Sequence, residues 1–195
     1  GCFPSAGQLC ISIERLMVHE NLYERFLAEF VARTKALVPC TAVGWQGDIG
    51  PLISARQLAR AIDHVSDAVA KGATARAGGR ARPDILPFFF EPTILTGVTE
   101  QMTVCAEETF GPVVSVSSFQ TIDEAVARAN ATSYGLNASV WSRDVSAARA
   151  VAARLQCGTV NINESYAAAW ASVAGPMGGF KRSGLGRRHG WEGIS

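Results

Sequence analysis

From residue 113 onward, short β-branched runs alternate with segments of helical period, and this alternation constrains the fold more than any other feature. Val113 to Phe119 reads as a strand. Thr121-Ile122-Asp123-Glu124 then has the pattern of a capping box, in which a hydroxyl and a carboxylate each satisfy a backbone N–H at a helix start. Ile122, Ala125, Val126 and Ala129 form one apolar face behind it. Leu136 to Trp141 is the next strand, Asp144 caps a helix that reaches Gln156, and Gly158 to Ile162 is a further strand. Strand, helix and strand in that order imply βαβ units and a parallel sheet. The expected class is α/β, an open and mostly parallel sheet flanked by helices.

The first half of the chain is patterned less strictly. Residues 11–18 are apolar at most alternate positions, which predicts a strand or a short helix running into one. Leu22, Phe26, Leu27, Phe30 and Val31 recur at helical spacing between Asn21 and Leu37, and Pro39 closes that element. Gly44 to Leu52 is punctuated as a loop. Ser54-Ala55-Arg56-Gln57 opens a second helix that ends at Lys71-Gly72. Residues 78–87 read as a turn-rich connection. Phe88 to Leu95 reads as a strand that Pro92 confines to an edge or brings to its end. The tail from Gly175 to Gly190 is Gly-rich and irregular, suiting a loop that lines a site.

At 195 residues the chain suits one domain, or a domain with a small appendage. Its apolar residues are dispersed, and no run approaches the roughly 18 needed for a membrane span. A net charge of +1 argues against nucleic acid or an anionic membrane surface as partner. Cys2, Cys10, Cys40, Cys105 and Cys157 are odd in number and widely spaced, unlike a disulfide framework or a zinc site. Reduced thiols in a cytosolic compartment are expected, with no metal centre. The chain starts at Gly rather than Met, and its opening segment reads like the inside of a fold. The expectation is a piece excised from a longer protein.

Four places carry chemistry-bearing residues. In Gly7-Gln8-Leu9-Cys10 a glycine before a thiol permits a tight turn and converging amides, where a thiolate could attack a carbonyl. The plain alternative is a buried, inert cysteine. In Glu107-Glu108-Thr109-Phe110-Gly111-Pro112 a carboxylate suits a ribose diol and an aromatic ring suits a flat heterocycle, or the pair is simply a surface acid and a core Phe. His19, His64 and His189 lack metal-ligand spacing and read as surface or helix-face residues. Ser183, among Lys181, Arg182, Arg187 and glycines, marks an anion-recognition loop or a solvated one.

Taken in order, GQLC, EETFGPV, NAS-W, GTVNIN and PMGGFKRSGLGR resemble the aldehyde dehydrogenase superfamily across essentially the whole chain. Further stretches, such as GQLCIS-ER, GTVN-NE-YAAAW and SGLGRRHG, are similar to succinate-semialdehyde dehydrogenases of the actinobacterial type. The resemblance implies that Cys10 is the nucleophile, forming a thiohemiacetal and then a thioester. It implies that Glu108 binds the nicotinamide ribose, that Phe110 contacts the nicotinamide side, and that Ser183 contacts the substrate carboxylate. Asn163 and Gly178-Gly179 match loops that line the family's site. The implied cofactor is NAD or NADP, the substrate a small aldehyde, and the parent enzyme a cytoplasmic homo-oligomer. Residues 1–195 would then be the catalytic, thiol-bearing domain, with the dinucleotide-binding domain and the general-base Glu outside this chain.

Two departures from that family bear on specificity. Many succinate-semialdehyde dehydrogenases carry Phe-Arg-Asn before the cysteine, with the Arg on the substrate carboxylate; this chain has Phe3-Pro4-Ser5. Any charge pairing then falls to another cation, with Arg15, Arg182, Arg187 and Arg188 as candidates. Where some relatives carry a second cysteine as a redox switch, this chain has Ser12, so no such switch is expected. Beside oxidation of succinate semialdehyde stand three alternatives: oxidation of a different aldehyde, a silent structural or interaction fragment, and a thiol hydrolase. The last predicts a histidine within hydrogen-bonding reach of Cys10.

Overall fold

The computed structural model describes residues 1–42 and 46–194, and divides into two compact units, one from Cys2 to Phe119 and one from Gln120 onward. The expected loop at Gly44 to Leu52 lies partly outside the described residues. In the first unit, β1 (Arg15–His19), β2 (Thr74–Ala77), β3 (Thr93–Thr96) and β4 (Val113–Phe119) form a sheet of order β1-β4-β3-β2. β4 pairs in parallel with both β1 and β3, and only β2 runs antiparallel. The α/β class and the mostly parallel pairing agree with the sequence reading.

Helices cover both faces of this sheet. α1 (Glu20–Lys35) packs Leu27 with Ile94, Val114 and Val116 on one face. α2 (Ala55–Ala70) packs Ala61, Val65 and Ala68 with Leu95 and Val113 on the other. Neighbours along one strand thus serve opposite cores, as the two-residue period of a strand demands. All four residues of β3 are buried, the signature of a strand covered on both sides. The starts of α1 and α2 are each closed by a side chain. The Ser54 hydroxyl accepts from the Gln57 N–H at 3.2 Å, as its capping box predicts. His19 Nδ1 accepts from the Asn21 N–H at 3.3 Å, so α1 begins one residue before the predicted start.

The strand predicted over Phe88 to Leu95 is corrected. Phe89 and Phe90 are buried core residues, but the strand begins only after Pro92, at Thr93, and it lies between β4 and β2 rather than at an edge. Proline lacks the N–H that a ladder needs, so pairing starts at the next residue, where the Thr93 N–H donates to the Pro112 carbonyl at 2.8 Å. β2 was not predicted. Its residues, Thr74-Ala75-Arg76-Ala77, are mostly exposed, and its apolar positions are only alanines. α3 (Thr103–Ala106), a single turn, also leaves no periodic mark.

The second unit contains α4 (Ile122–Asn130), β5 (Asn137–Val140), α5 (Val145–Ala152), β6 (Thr159–Ile162) and α6 (Ala167–Ala171). β5 and β6 pair in parallel across α5, the βαβ unit expected here, but they form their own two-stranded sheet rather than extending the ladder of β4. Thr121 and Asp144 cap α4 and α5 as predicted, through the N–H groups of Glu124 and Ala147. α5 stops short of Gln156. The Gln156 N–H is taken by the Asn130 side-chain oxygen at 2.8 Å, and Asn130 Nδ2 donates to the Arg154 carbonyl at 3.0 Å. One side chain at the end of α4 therefore captures groups that a longer α5 would need. Among the described residues no helix is long and apolar enough to cross a membrane.

Candidate active site

The segment before Cys10 folds into a tight 3₁₀ turn over Pro4–Gly7, with Ser5, Ala6 and Gly7 all in left-handed conformations (φ 53°, 55° and 71°). Proline suits the first position because its missing N–H would have no partner there. Glycine at position 7 is required for a second reason: a Cβ would overlap the Gly111 carbonyl. The Gln8 side chain then fixes the turn, donating to the Ser5 carbonyl at 3.0 Å and accepting from the Ile53 N–H at 2.9 Å. Ala6 and Ile11 are buried on either side, while Cys10 between them is exposed. Its thiol is displayed on a short, anchored turn, not sunk in the core. All five cysteines are free.

The loop at residues 107–112 is held from two sides. Gln57 Nε2, at the start of α2, donates to the carbonyls of Thr109 and Phe110, each at 2.7 Å. One turn along, Arg60 Nε donates to the Glu108 carbonyl at 3.0 Å, and its guanidinium lies 3.5 Å from the Glu107 carboxylate. A further turn along, His64 Nδ1 meets the hydroxyl of fully buried Thr109 at 3.0 Å. From the opposite side, the Glu14 carboxylate accepts from the Thr109 N–H at 2.9 Å and the Phe110 N–H at 2.8 Å. Phe110 is held at φ 54°, a conformation that a bulky residue keeps only under such constraint. Glu108 remains exposed, and Phe110 is half-buried.

These contacts make an unusual electrostatic setting. Burial pushes the Glu14 carboxyl up to about 7, against the two N–H groups that hold it down; the charge of Glu108 raises it further and Arg60 opposes. His64 is shifted down, chiefly by burial and then by Arg60. The histidines of this unit are engaged away from Cys10: His64 with Thr109 and His19 at the start of α1. Among the described residues of this unit, neither histidine is hydrogen-bonded to Cys10.

Cys10, Glu108 and Phe110 thus lie in one unit, on two loops that meet at Gly7 and Gly111. Ser183 belongs to the second unit, in a 3₁₀ turn of Lys181–Ser183. Its hydroxyl accepts from the Gly135 N–H at 3.0 Å, leaving the O–H proton to donate elsewhere. The cations around it are already committed. Lys181 Nζ donates to the carbonyls of Asn130 and Thr132, Arg182 lies over the Tyr134 ring, Arg187 over Phe180 and Arg188 over Trp170. The Gly-rich tail is less irregular than expected, because Met177 and Arg188 exchange two backbone hydrogen bonds of 2.7 Å and close the loop that carries Ser183. Gly178 packs where a Cβ on Gly158 would overlap its carbonyl. Asn163, another matched position, spends its side chain on both backbone groups of Ser142.

Sequence reasoning missed Glu14, Gln57, Arg60 and His64. Three of them had a signal: Gln57, Arg60 and His64 recur at three- and four-residue spacing along α2, a polar stripe beside the apolar Ala61, Val65 and Ala68. Glu14 had none, since its partners lie about a hundred residues away.

Several known proteins are similar to this chain. The model of the aldehyde dehydrogenase family matches residues 1–195. A Mycobacterium tuberculosis protein, named provisionally as an NADP(+)-using succinate-semialdehyde dehydrogenase, is 52% identical over 193 residues, covering 99% of this chain and 37% of its own length. Betaine aldehyde dehydrogenase of Brucella melitensis is 39% identical, over 97% of this chain and 39% of its own length. Among solved structures, betaine aldehyde dehydrogenase from Staphylococcus aureus in complex with NAD+ superposes with a TM-score of 0.90 at 36% identity, over 97% of this chain and 38% of that one. The chain spans well under half the length of these relatives.

Proposed function

Because the chain belongs to the aldehyde dehydrogenase family, we propose that the protein carrying it oxidises an aldehyde to the acid, with Cys10 as nucleophile and NAD or NADP as acceptor. The observation that carries this reading is the exposed Cys10 turn, locked at Gly7 against the loop that presents Glu108 and Phe110. The Cys10 thiolate adds to the aldehyde carbon, and the turn's backbone amides stabilise the oxyanion. The resulting thiohemiacetal loses its hydride and becomes a thioester, which water cleaves to free the acid and restore the thiol. Bound dinucleotide supplies the acceptor for that hydride.

The loop at 107–112 fits that cofactor. Arg60 engages the main-chain carbonyl of Glu108 and pairs with the carboxylate of Glu107, so the Glu108 carboxylate is left to accept from ribose hydroxyls. The Phe110 ring, half-exposed, offers a flat apolar contact beside it.

Succinate semialdehyde is the substrate we favour, with Ser183 donating to its distal carboxylate. The likeness to a relative named provisionally as a succinate-semialdehyde dehydrogenase supports that choice. We further propose that the full-length enzyme is a cytoplasmic homo-oligomer. The test is a steady-state comparison of succinate semialdehyde, betaine aldehyde and an uncharged aldehyde of equal length, using full-length protein. The expected order of kcat/KM puts succinate semialdehyde first; equal or better turnover of the uncharged aldehyde would sink the substrate assignment.

A further inference from the structure

We propose that Glu14 is a positioning residue that couples the thiol-bearing segment to the loop presenting Glu108 and Phe110. This rests on the reading of Cys10, Glu108 and Phe110 given above.

Glu14 lies four residues beyond Cys10 and immediately before β1. Its main chain is pinned to the middle strand, since its carbonyl accepts from the Ser115 N–H at 2.9 Å and the Ser115 hydroxyl at 3.3 Å. Its side chain reaches the other way, each oxygen taking one of two successive N–H groups, those of Thr109 and Phe110. Two neighbouring amides, the N–H groups of Thr109 and Phe110, thus converge on one carboxylate. Each amide has its own carboxylate oxygen as acceptor, and a carboxamide would put an N–H donor in place of one of them.

The rest of the setting points the same way. Arg60 and Gln57 of α2 take the carbonyls of this loop and His64 takes the Thr109 hydroxyl, so α2 fixes the loop's acceptors while Glu14 alone fixes these two donors. Glu108 and Arg60 are the charged groups that act on Glu14. Burial drives its carboxyl toward neutrality, and the two N–H groups oppose that drift. A group kept in so costly a place, and aimed at the backbone next to Glu108, governs where the Glu108 carboxylate and the Phe110 ring stand relative to the Cys10 turn.

The test uses full-length protein carrying Glu14→Gln and Glu14→Asp, read in three ways: NAD+ and NADP+ affinity by fluorescence titration, KM for aldehyde, and amide hydrogen exchange of residues 107–112. For Glu14→Gln the dissociation constant of the better-bound dinucleotide should rise about tenfold, the worth of one charge-assisted hydrogen bond. The aldehyde KM should stay within about twofold, and exchange at Thr109 and Phe110 should accelerate about tenfold. Glu14→Asp, which keeps the charge on a shorter arm, should recover part of the dinucleotide affinity. Unchanged affinity and exchange in Glu14→Gln would overturn the proposal, as would an equal fall of every parameter in both variants. If Glu14→Gln fails to fold, Glu14→Asp decides between the same outcomes. Wild-type protein that binds neither dinucleotide refutes the functional reading instead, and hydrogen exchange then still decides whether Glu14 clamps the loop.

Discussion

Gly7 packs its backbone against the carbonyl of Gly111, leaving no room for a side chain on the residue that opens the turn to Cys10. Its φ of 71° adds a second objection to any other residue. The Gly7→Ala substitution is expected to cost at least ~2 kcal/mol, from overlap with backbone and from a left-handed alanine together. A thermal melt measures the loss. A melting temperature within a degree of wild type would mean that the two loops are not in contact at this point.

Cys10 should be removable without harm to the fold. It is exposed, and substitutions at exposed positions usually shift stability by no more than ~0.5 kcal/mol. Cys10→Ser should therefore melt like wild type while losing aldehyde oxidation altogether. Alkylation offers a check independent of activity. Burial raises Cys2 to about 11 and also raises Cys157, so iodoacetamide near neutral pH should reach Cys10 well before either. Peptide mapping by mass spectrometry gives the order of labelling. Cys2 or Cys157 reacting first would contradict the displayed-thiol geometry.

Glu14 makes stability depend on pH in a stated direction. Its carboxyl is raised by burial from an ordinary 4.5 to about 7, so the folded state binds a proton that the unfolded chain has already released. The associated stability is fully present below about 4.5 and is lost as pH rises through about 7. The facing charges, Glu108 and Arg60, act in opposite senses on this balance. Urea midpoints measured from pH 5 to pH 8 should fall relative to those of Glu14→Gln, which does not titrate, and the gap should level off above about 7. A constant gap across that range would place the titration elsewhere.

Ser183→Ala separates a structural role from one in recognition. Losing the acceptor for the Gly135 N–H should cost about 1 kcal/mol of stability. Under the proposed substrate assignment, KM for succinate semialdehyde should also rise severalfold, with KM for an uncharged aldehyde unchanged. Equal changes for both substrates would leave the hydroxyl with its structural bond alone.

These expectations also show how unevenly the chain discloses itself. Ser54, Thr121 and Asp144 announce their helices because a cap is a local event, complete within four residues. Val113 to Val116 announces β4 because a strand buried on both faces needs an unbroken apolar or small run. β2 is silent, because an exposed edge strand makes no demand on its side chains. The end of α5 is misread because Asn130, from another helix, decides it. Cys10, Glu108, Phe110 and Ser183 could be picked out through motif order, whereas the Glu14 clamp could not. Its bonds to Thr109 and Phe110 span 95 and 96 positions of sequence, and no local pattern encodes such a partner.

The pairing of β1 with β4 has a consequence for synthesis. Among the described residues, Arg15 through His19 pair with Ser115 through Phe119, so the strand made early must wait for one made far later. At ribosomal speeds of roughly 5–20 residues per second, that wait is on the order of 5–20 seconds. Throughout it the nascent Cys10 turn has neither Gly111 beside it nor a ladder beneath it, and its thiol is open to oxidants and to other chains. The same topology that holds the finished turn thus delays its closure until β4 has been made.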